Sequence, residues 1–369
     1  MMTLTLAAEA LMDLRPWNYW KKDGSPCPGT TQLVAVLDTV LARNPNHPGA
    51  CHYYIHAVEA VAPSKAVPCA ERLAALMPGV GHMVHMPAHI YLRVGRYNDA
   101  IEANTHAVHT DEHYIAAEHP DGVYPAAYYP HNYHFLAFAA TMAGRSEQAV
   151  EAARAAAAHT PPEVARLARS LELVVASPYL IMQTFGRWDD ILALPDPPAD
   201  LQLASGMVAY ARGMAYLGKD RMEPARAALA TVRAAVPGVA QGNLRASLRV
   251  GEHVLAAEIA RREGHLDDAA RHLEMARQLE DGMNYIEPPY WHQPVRHMMG
   301  ALLIEAGRPQ EAERLYLEDL KRFPENMWSL AGLEQSPAAQ GRADEANDVH
   351  ARLVKAQAGS DVPLSRSRM

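Results

Sequence analysis

The chain has 369 residues, 49% hydrophobic and 21% charged, a composition that excludes a disordered polymer and is enough to bury a large core. Its 34 Lys and Arg against 42 Asp and Glu give a net charge of −8, which argues against nucleic-acid binding driven by phosphate neutralisation. The outlying figure is 19 histidines, of which 12 lie between His47 and His134.

The first residues carry Glu9 and Asp13 inside an apolar run and reach their first cation only at Arg15, unlike a secretory signal. No uninterrupted apolar stretch of about 18 residues follows, so no spanning helix is expected. Cys27, Cys51 and Cys69 are odd in number and form no Cys-x-x-Cys. That argues against a disulfide framework or zinc ribbon and for a reducing cytoplasm. Met1 opens directly on an amphipathic helix, which leads us to expect an element upstream. Arg15-Pro16-Trp17 and Trp20 then read as anchors of a first helical hairpin.

His47-Pro48 predicts a helix start, since Pro at the first helical position forfeits no hydrogen bond. Within that helix His52, His56 and Glu59 fall on one face at 3.6 residues per turn. Two imidazoles spaced i, i+4 can reach one metal, with the carboxylate ligating it or orienting a ligand. His82, His85 and His89 repeat the pattern at i, i+3 and i+7, with Pro87 expected to break the helix between them. His131 and His134 follow Pro130 at a further helix start. His106, His109 and His113 share the spacing but are expected to face solvent. Cys51 lies one position off the His52 face and reads as a small packing residue.

A phrase of Gly, a basic residue, a spacer, two mostly polar residues and Ala recurs. It starts at Gly95, Gly144, Gly264, Gly307 and Gly341, with weaker forms at Gly186 and Gly218. Each copy predicts a helix ending on a Gly with positive φ, a short turn, and a second helix opening with acids at its positive dipole end. Asp111 to Tyr129 and Ala193 to Leu201 read as ordered crossing loops. Glu287-Pro288-Pro289-Tyr290-Trp291-His292 reads as a rigid segment covering the mouth of a superhelix, with 285–294 as its extent. No phosphate-binding glycine loop or nucleophile elbow is present.

The Gly phrase resembles the tetratricopeptide repeat over most of Ala88 to Ala356, with spacing looser than that family's 34 residues. The resemblance implies an all-α, right-handed superhelix of stacked helical hairpins. We expect one solenoid over 1–369, with a His-rich half at 1–143 and further repeats over 144–369. A second resemblance covers nearly the whole chain. His47-Pro48-Gly49-Ala50, His52-Tyr53-Tyr54-Ile55-His56-Ala57-Val58-Glu59, Gly81-His82-Met83-Val84-His85-Met86-Pro87 and Tyr128-Tyr129-Pro130-His131-Asn132-Tyr133-His134 are similar to phrases of a bacterial repeat-protein family. It implies a shared site without a reaction; its members usually begin earlier in sequence.

Seven clustered histidines, His52, His56, His82, His85, His89, His131 and His134, exceed what one metal uses. They predict a transition-metal centre of one or two ions, copper first, then iron, then zinc. The expected function is a metal-dependent oxidase or oxygenase acting on a small molecule inside the superhelix, with Glu59, Tyr54 and His292 as catalytic candidates. The alternative is a non-catalytic repeat scaffold for a protein or peptide, its histidines forming hydrogen-bond ladders. Zinc-dependent hydrolysis is a third reading. A protein partner or homodimer is compatible with each.

Overall fold

The recurring Gly phrase builds the chain's commonest turn. The computed structural model describes residues 1–368. Gly95, Gly144, Gly186, Gly264, Gly307 and Gly341 each close a helix with φ between 68° and 83°. The next residue donates its N–H five residues back, as Arg96 does to Tyr91 O, Arg145 to Ala140 O and Arg308 to Leu303 O. That bond satisfies a carbonyl otherwise orphaned at the helix end. The basic side chain then reaches the first turn of the following helix, pairing Arg187 with Asp190 and Arg308 with Glu311. The copy at Gly218 differs: Asp220 takes the positive φ there, and Gly218 is helical and makes room for Trp188, which a Cβ would approach to 2.4 Å.

The chain divides into two compact units, Met1–Leu136 and Ala137–Met369. The first holds α1 (Met2–Asp13), α2 (Thr30–Arg43), α3 (Pro48–Val58), α4 (Val67–Leu76), α5 (Gly81–His85), α6 (Pro87–Arg93) and α7 (Tyr97–Glu118). Here α1 packs on α2, α2 on α3, α3 on α4, and both α5 and α6 on α7. Pro48 occupies the first turn of α3, and the His47 side chain caps it by accepting from Ala50 N at 3.1 Å. Helix α7 runs on to Glu118, so the crossing segment is shorter than the sequence suggested. No Pro lies between Tyr97 and Glu118, and His119 ends the helix at φ 46°. The division falls within α8 (Tyr129–Met142).

The second unit continues through α9 (Ser146–Ala158), α10 (Pro162–Leu167), α11 (Glu172–Thr184), α12 (Trp188–Ala193), α13 (Gln202–Gly218) and α14 (Met222–Ala235). It ends with α15 (Asn243–Arg262), α16 (Leu266–Gly282), α17 (Val295–Glu305), α18 (Pro309–Arg322), α19 (Met327–Ala338) and α20 (Ala343–Ala356). Hairpins α11/α12, α13/α14, α15/α16, α17/α18 and α19/α20 follow one another, with α11 also packed on α13 and α13 on α15. This is the tetratricopeptide-like pattern of stacked hairpins, all-α and without a β-sheet among the described residues. Tyr316 of α18 shows the packing: a Cβ on Gly300 or Gly332 would lie 2.3 or 2.1 Å from its ring, so the two glycines admit it between α17 and α19. No described helix is long and apolar enough to cross a membrane. All three cysteines are free and buried.

Candidate metal centre

Three backbone devices of the first unit bring its histidines together. Arg93 donates to the carbonyls of Glu59 and Ala60 at 3.3 Å, holding the end of α3 against α6. Met86, helical at φ −51° and ψ −36°, joins α5 to α6, so Pro87 interrupts the bonding ladder without ending the helical course. Gly81 lets α5 close on α7, since a Cβ there would sit 1.9 Å from Asp111 Oδ1. That carboxylate accepts from Tyr124 OH at 2.6 Å and Asn132 Nδ2 at 2.7 Å, tying α7 to the π-turn Tyr124–Tyr128 and to α8.

The imidazoles regroup across these helices. His52 and His56 of α3 join His82 of α5 in one triad; His85, His89 and His131 form a second. In each, the ligand atoms lie within 4.8 Å of one another. His52 Nε2 and His82 Nε2 are 3.1 Å apart, and His85 Nε2 and His89 Nε2 are 3.0 Å apart. Glu59, 4% exposed, stands between the triads, with Oε1 3.4 Å from His56 Nδ1 and Oε2 2.9 Å from His89 Nδ1. Phe135 seals the second triad, its ring centroid 4.6 Å from His85 and 4.5 Å from His89. Trp17, 67% exposed, sets its edge against His56 at 4.8 Å, at the outer rim of the first triad.

The partners assign the tautomers. Asn104 Nδ2 donates to Ala100 O, leaving its Oδ1 to accept from His85 Nδ1 at 2.7 Å. His85 therefore carries its proton on Nδ1 and a lone pair on Nε2. The Glu59 carboxylate favours the same tautomer in His89 and His56. The His85 Nε2 lone pair meets His89 Nε2 at 3.0 Å, where either a His89 N–H or, with His89 neutral on Nδ1, a cation completes the contact. A carboxylate or amide holding Nδ1–H is also the usual support of a metal-binding imidazole.

Burial keeps four of the rings, His52, His82, His85 and His131, neutral. Burial holds His52 down to about 2 and His82 to about 3, with the neighbouring imidazoles adding to the effect. His85 and His131 are held well below the ordinary value, again by burial first and then by His89. Burial works to raise Glu59, but His89 and His56 outweigh it and bring the carboxyl to about 2. Neutral imidazole is the form that binds metal.

His134 lies one turn along α8 from His131 and stands outside both triads, its own acidity set by burial at about 4. The Tyr54 hydroxyl is raised by burial and by its hydrogen bond to the Asp38 carboxylate. At two residues from both His52 and His56 it falls off their helical face. His292 belongs to the second unit, where its Nε2 meets Gln183 Oε1 at 2.9 Å. His106, His109 and His113 are exposed on α7. Sequence reasoning passed over Asn104 and Asp111. Both interrupt the buried stripe Ala100, Ile101, Ala107, Val108 of α7, and a polar residue in an apolar stripe is a readable signal.

No protein-family model and no curated protein matches the chain. Solved structures similar to it include the human IFIT1 dimer with m7Gppp-AAAA, at 12% identity and TM-score 0.39 over 95% of this chain and 71% of that one. The Cut9–Hcn1 hetero-tetramer of the APC/C has 10% identity and TM-score 0.40, covering 96% and 82%. Yeast Tom70 has 12% identity and TM-score 0.41, covering 90% and 85%.

Proposed function

We propose that the first unit is a transition-metal centre holding two ions, one in each imidazole triad, with Glu59 orienting one ligand of each. The observation that carries this reading is the convergence of six imidazoles into two triads with ligand atoms within 4.8 Å of one another, with Asn104 holding His85 through Nδ1 and the Glu59 carboxylate set beside His56 and His89. Donor sets of imidazole favour copper, then iron or zinc, over hard cations. A pair of copper ions would supply electron exchange between dioxygen and an oxidisable small molecule; zinc would supply hydrolysis instead. In either case the chain's own residues do defined work. Glu59 and Asn104 fix ring orientation, Phe135 excludes water from the second triad, and exposed Trp17 lines the approach to the first. A cytoplasmic setting, in which the buried thiols stay reduced, belongs to the same reading.

A second reading, a helical-repeat scaffold for a protein partner, rests on the hairpin architecture. IFIT1 with its capped oligonucleotide and Cut9 with Hcn1 are partner-bound, but a fold brings neither partner nor reaction with it. His52→Gln and His85→Gln separate the two readings. A metal enzyme loses bound metal and oxygen uptake together in both variants. A scaffold keeps its fold and partner and shows neither metal nor oxygen uptake in the parent protein.

A further inference from the structure

The second unit contains a cavity of about 630 Å³, within the range of small-molecule sites. Its charged lining is four arginines, Arg261, Arg262, Arg366 and Arg368, against two glutamates, Glu258 and Glu305. The apolar part of the lining is Trp188, Met214, Leu217, Met298 and Ile304.

Two of the arginines arrive on the final segment, which is fastened in place. Asp361 accepts from the N–H groups of Ser146 and Glu147 at 2.7 and 3.0 Å, at the start of α9. Ser367 donates to His297 O at 2.8 Å and lies 2.6 Å from Tyr316 OH. Arg368 bonds Glu258 at 2.9 Å and Glu305 at 3.1 Å, and Arg261 bonds the same two carboxylates. The glutamates are therefore already paired, both with Arg261 and Arg368 and Glu258 with Arg262 as well. Arg262 reaches Asp220 as well as Glu258. Arg366 is exposed and pairs with no carboxylate among the described residues, although it lines the cavity. The lining thus combines surplus positive charge with hydrocarbon and indole surface.

We infer that this cavity binds an organic anion, a carboxylate or phosphate ester on an apolar body, with Arg366 as the free cation that receives the head. The guanidinium fork suits either oxyanion. Trp188 and Met214 receive the body.

Calorimetric titration of the full chain with dodecanoate, dodecyl phosphate and dodecanol, each below its micelle concentration, tests this. One anion per chain is expected to bind, about tenfold or more tighter than dodecanol, and the tighter of the two identifies the head group. Arg366→Glu should weaken the anion about tenfold or more while leaving dodecanol binding and the melting temperature as in the parent. Trp188→Ala should weaken both kinds of probe. Equal affinity for dodecanol and the anions, an Arg366→Glu variant that binds the anion as the parent does, or no binding by any of the three would overturn the inference.

Discussion

The two units differ in what their buried histidines face, His253 with its Nδ1 3.1 Å from His272 Nδ1 being the exception in the second unit. In the second, His297 Nε2 donates to Asp319 Oδ2 at 3.0 Å, and the same carboxylate oxygen accepts from Ser329 Oγ at 2.8 Å and Asn326 Nδ2 at 3.1 Å. His292 likewise meets a side-chain oxygen. In the first, His85 Nε2 and His89 Nε2 face each other at 3.0 Å, and His52 Nε2 and His82 Nε2 at 3.1 Å. A buried imidazole is therefore no signal by itself. Its partners decide: an oxygen across from a ring N–H completes a structure, whereas three ring nitrogens converging within 4.8 Å can hold a cation.

Acid should break the comparison most visibly. The cluster imidazoles bind protons less readily folded than unfolded. The stability they contribute is complete above about pH 6.5 and is lost as pH falls toward their folded values near 3 and 2. Trp17 fluorescence, isolated by replacing the other tryptophans with Phe, should report unfolding of the first unit across that window, with metal released on the way. An unchanged signal down to pH 3 would contradict neutral burial.

Next in size is the satisfied network. Asp319→Ala leaves His297, Ser329 and Asn326 without their shared acceptor, and urea unfolding should show a loss of about 3–5 kcal/mol from the second unit. A loss below about 1 kcal/mol would mean that these donors find water instead.

Glu280 provides a smaller, signed effect. Burial pushes its carboxyl up to about 7, although it accepts from Val295 N at 3.1 Å. The folded state therefore holds this proton more tightly than the unfolded chain. Its contribution is complete below about pH 4.5 and is lost as pH rises through about 7, a change of about 3 kcal/mol. Glu280→Gln should remove that slope from the pH dependence of urea unfolding; parallel curves for parent and variant would refute it.

The smallest effect is expected at His131. His131→Leu in metal-free protein should change stability by no more than about 1 kcal/mol, because a neutral ring facing other rings gives way to an apolar side chain of similar size. The same variant should abolish most of the melting-temperature rise that copper produces in the parent. A large loss in the metal-free variant would mark His131 as a structural ladder.

Helical spacing carried much of this site, because i, i+3 and i, i+4 fix which side chains share a face before any tertiary contact exists. His52 with His56, and His85 with His89, are legible on that ground. The partition into triads is not: His82 leaves its neighbours on α5 and α6 to join α3, and His131 arrives from α8, which depends on how α5 packs against α7. Tyr54 failed the same helical geometry, lying two residues from each α3 histidine. The Gly-basic phrase was legible as a turn because positive φ and the five-residue back-bond are local. Its Gly218 copy was not, since Trp188 sets that glycine from outside the turn.

Element analysis combined with an absorption spectrum, on protein purified without a histidine tag and reconstituted above pH 7, tests the central claim most directly. Two triads predict about two transition-metal ions per chain, falling to about one when either His52 or His85 is replaced by Gln. Less than about 0.2 metal per chain after reconstitution would contradict a metal centre in the first unit.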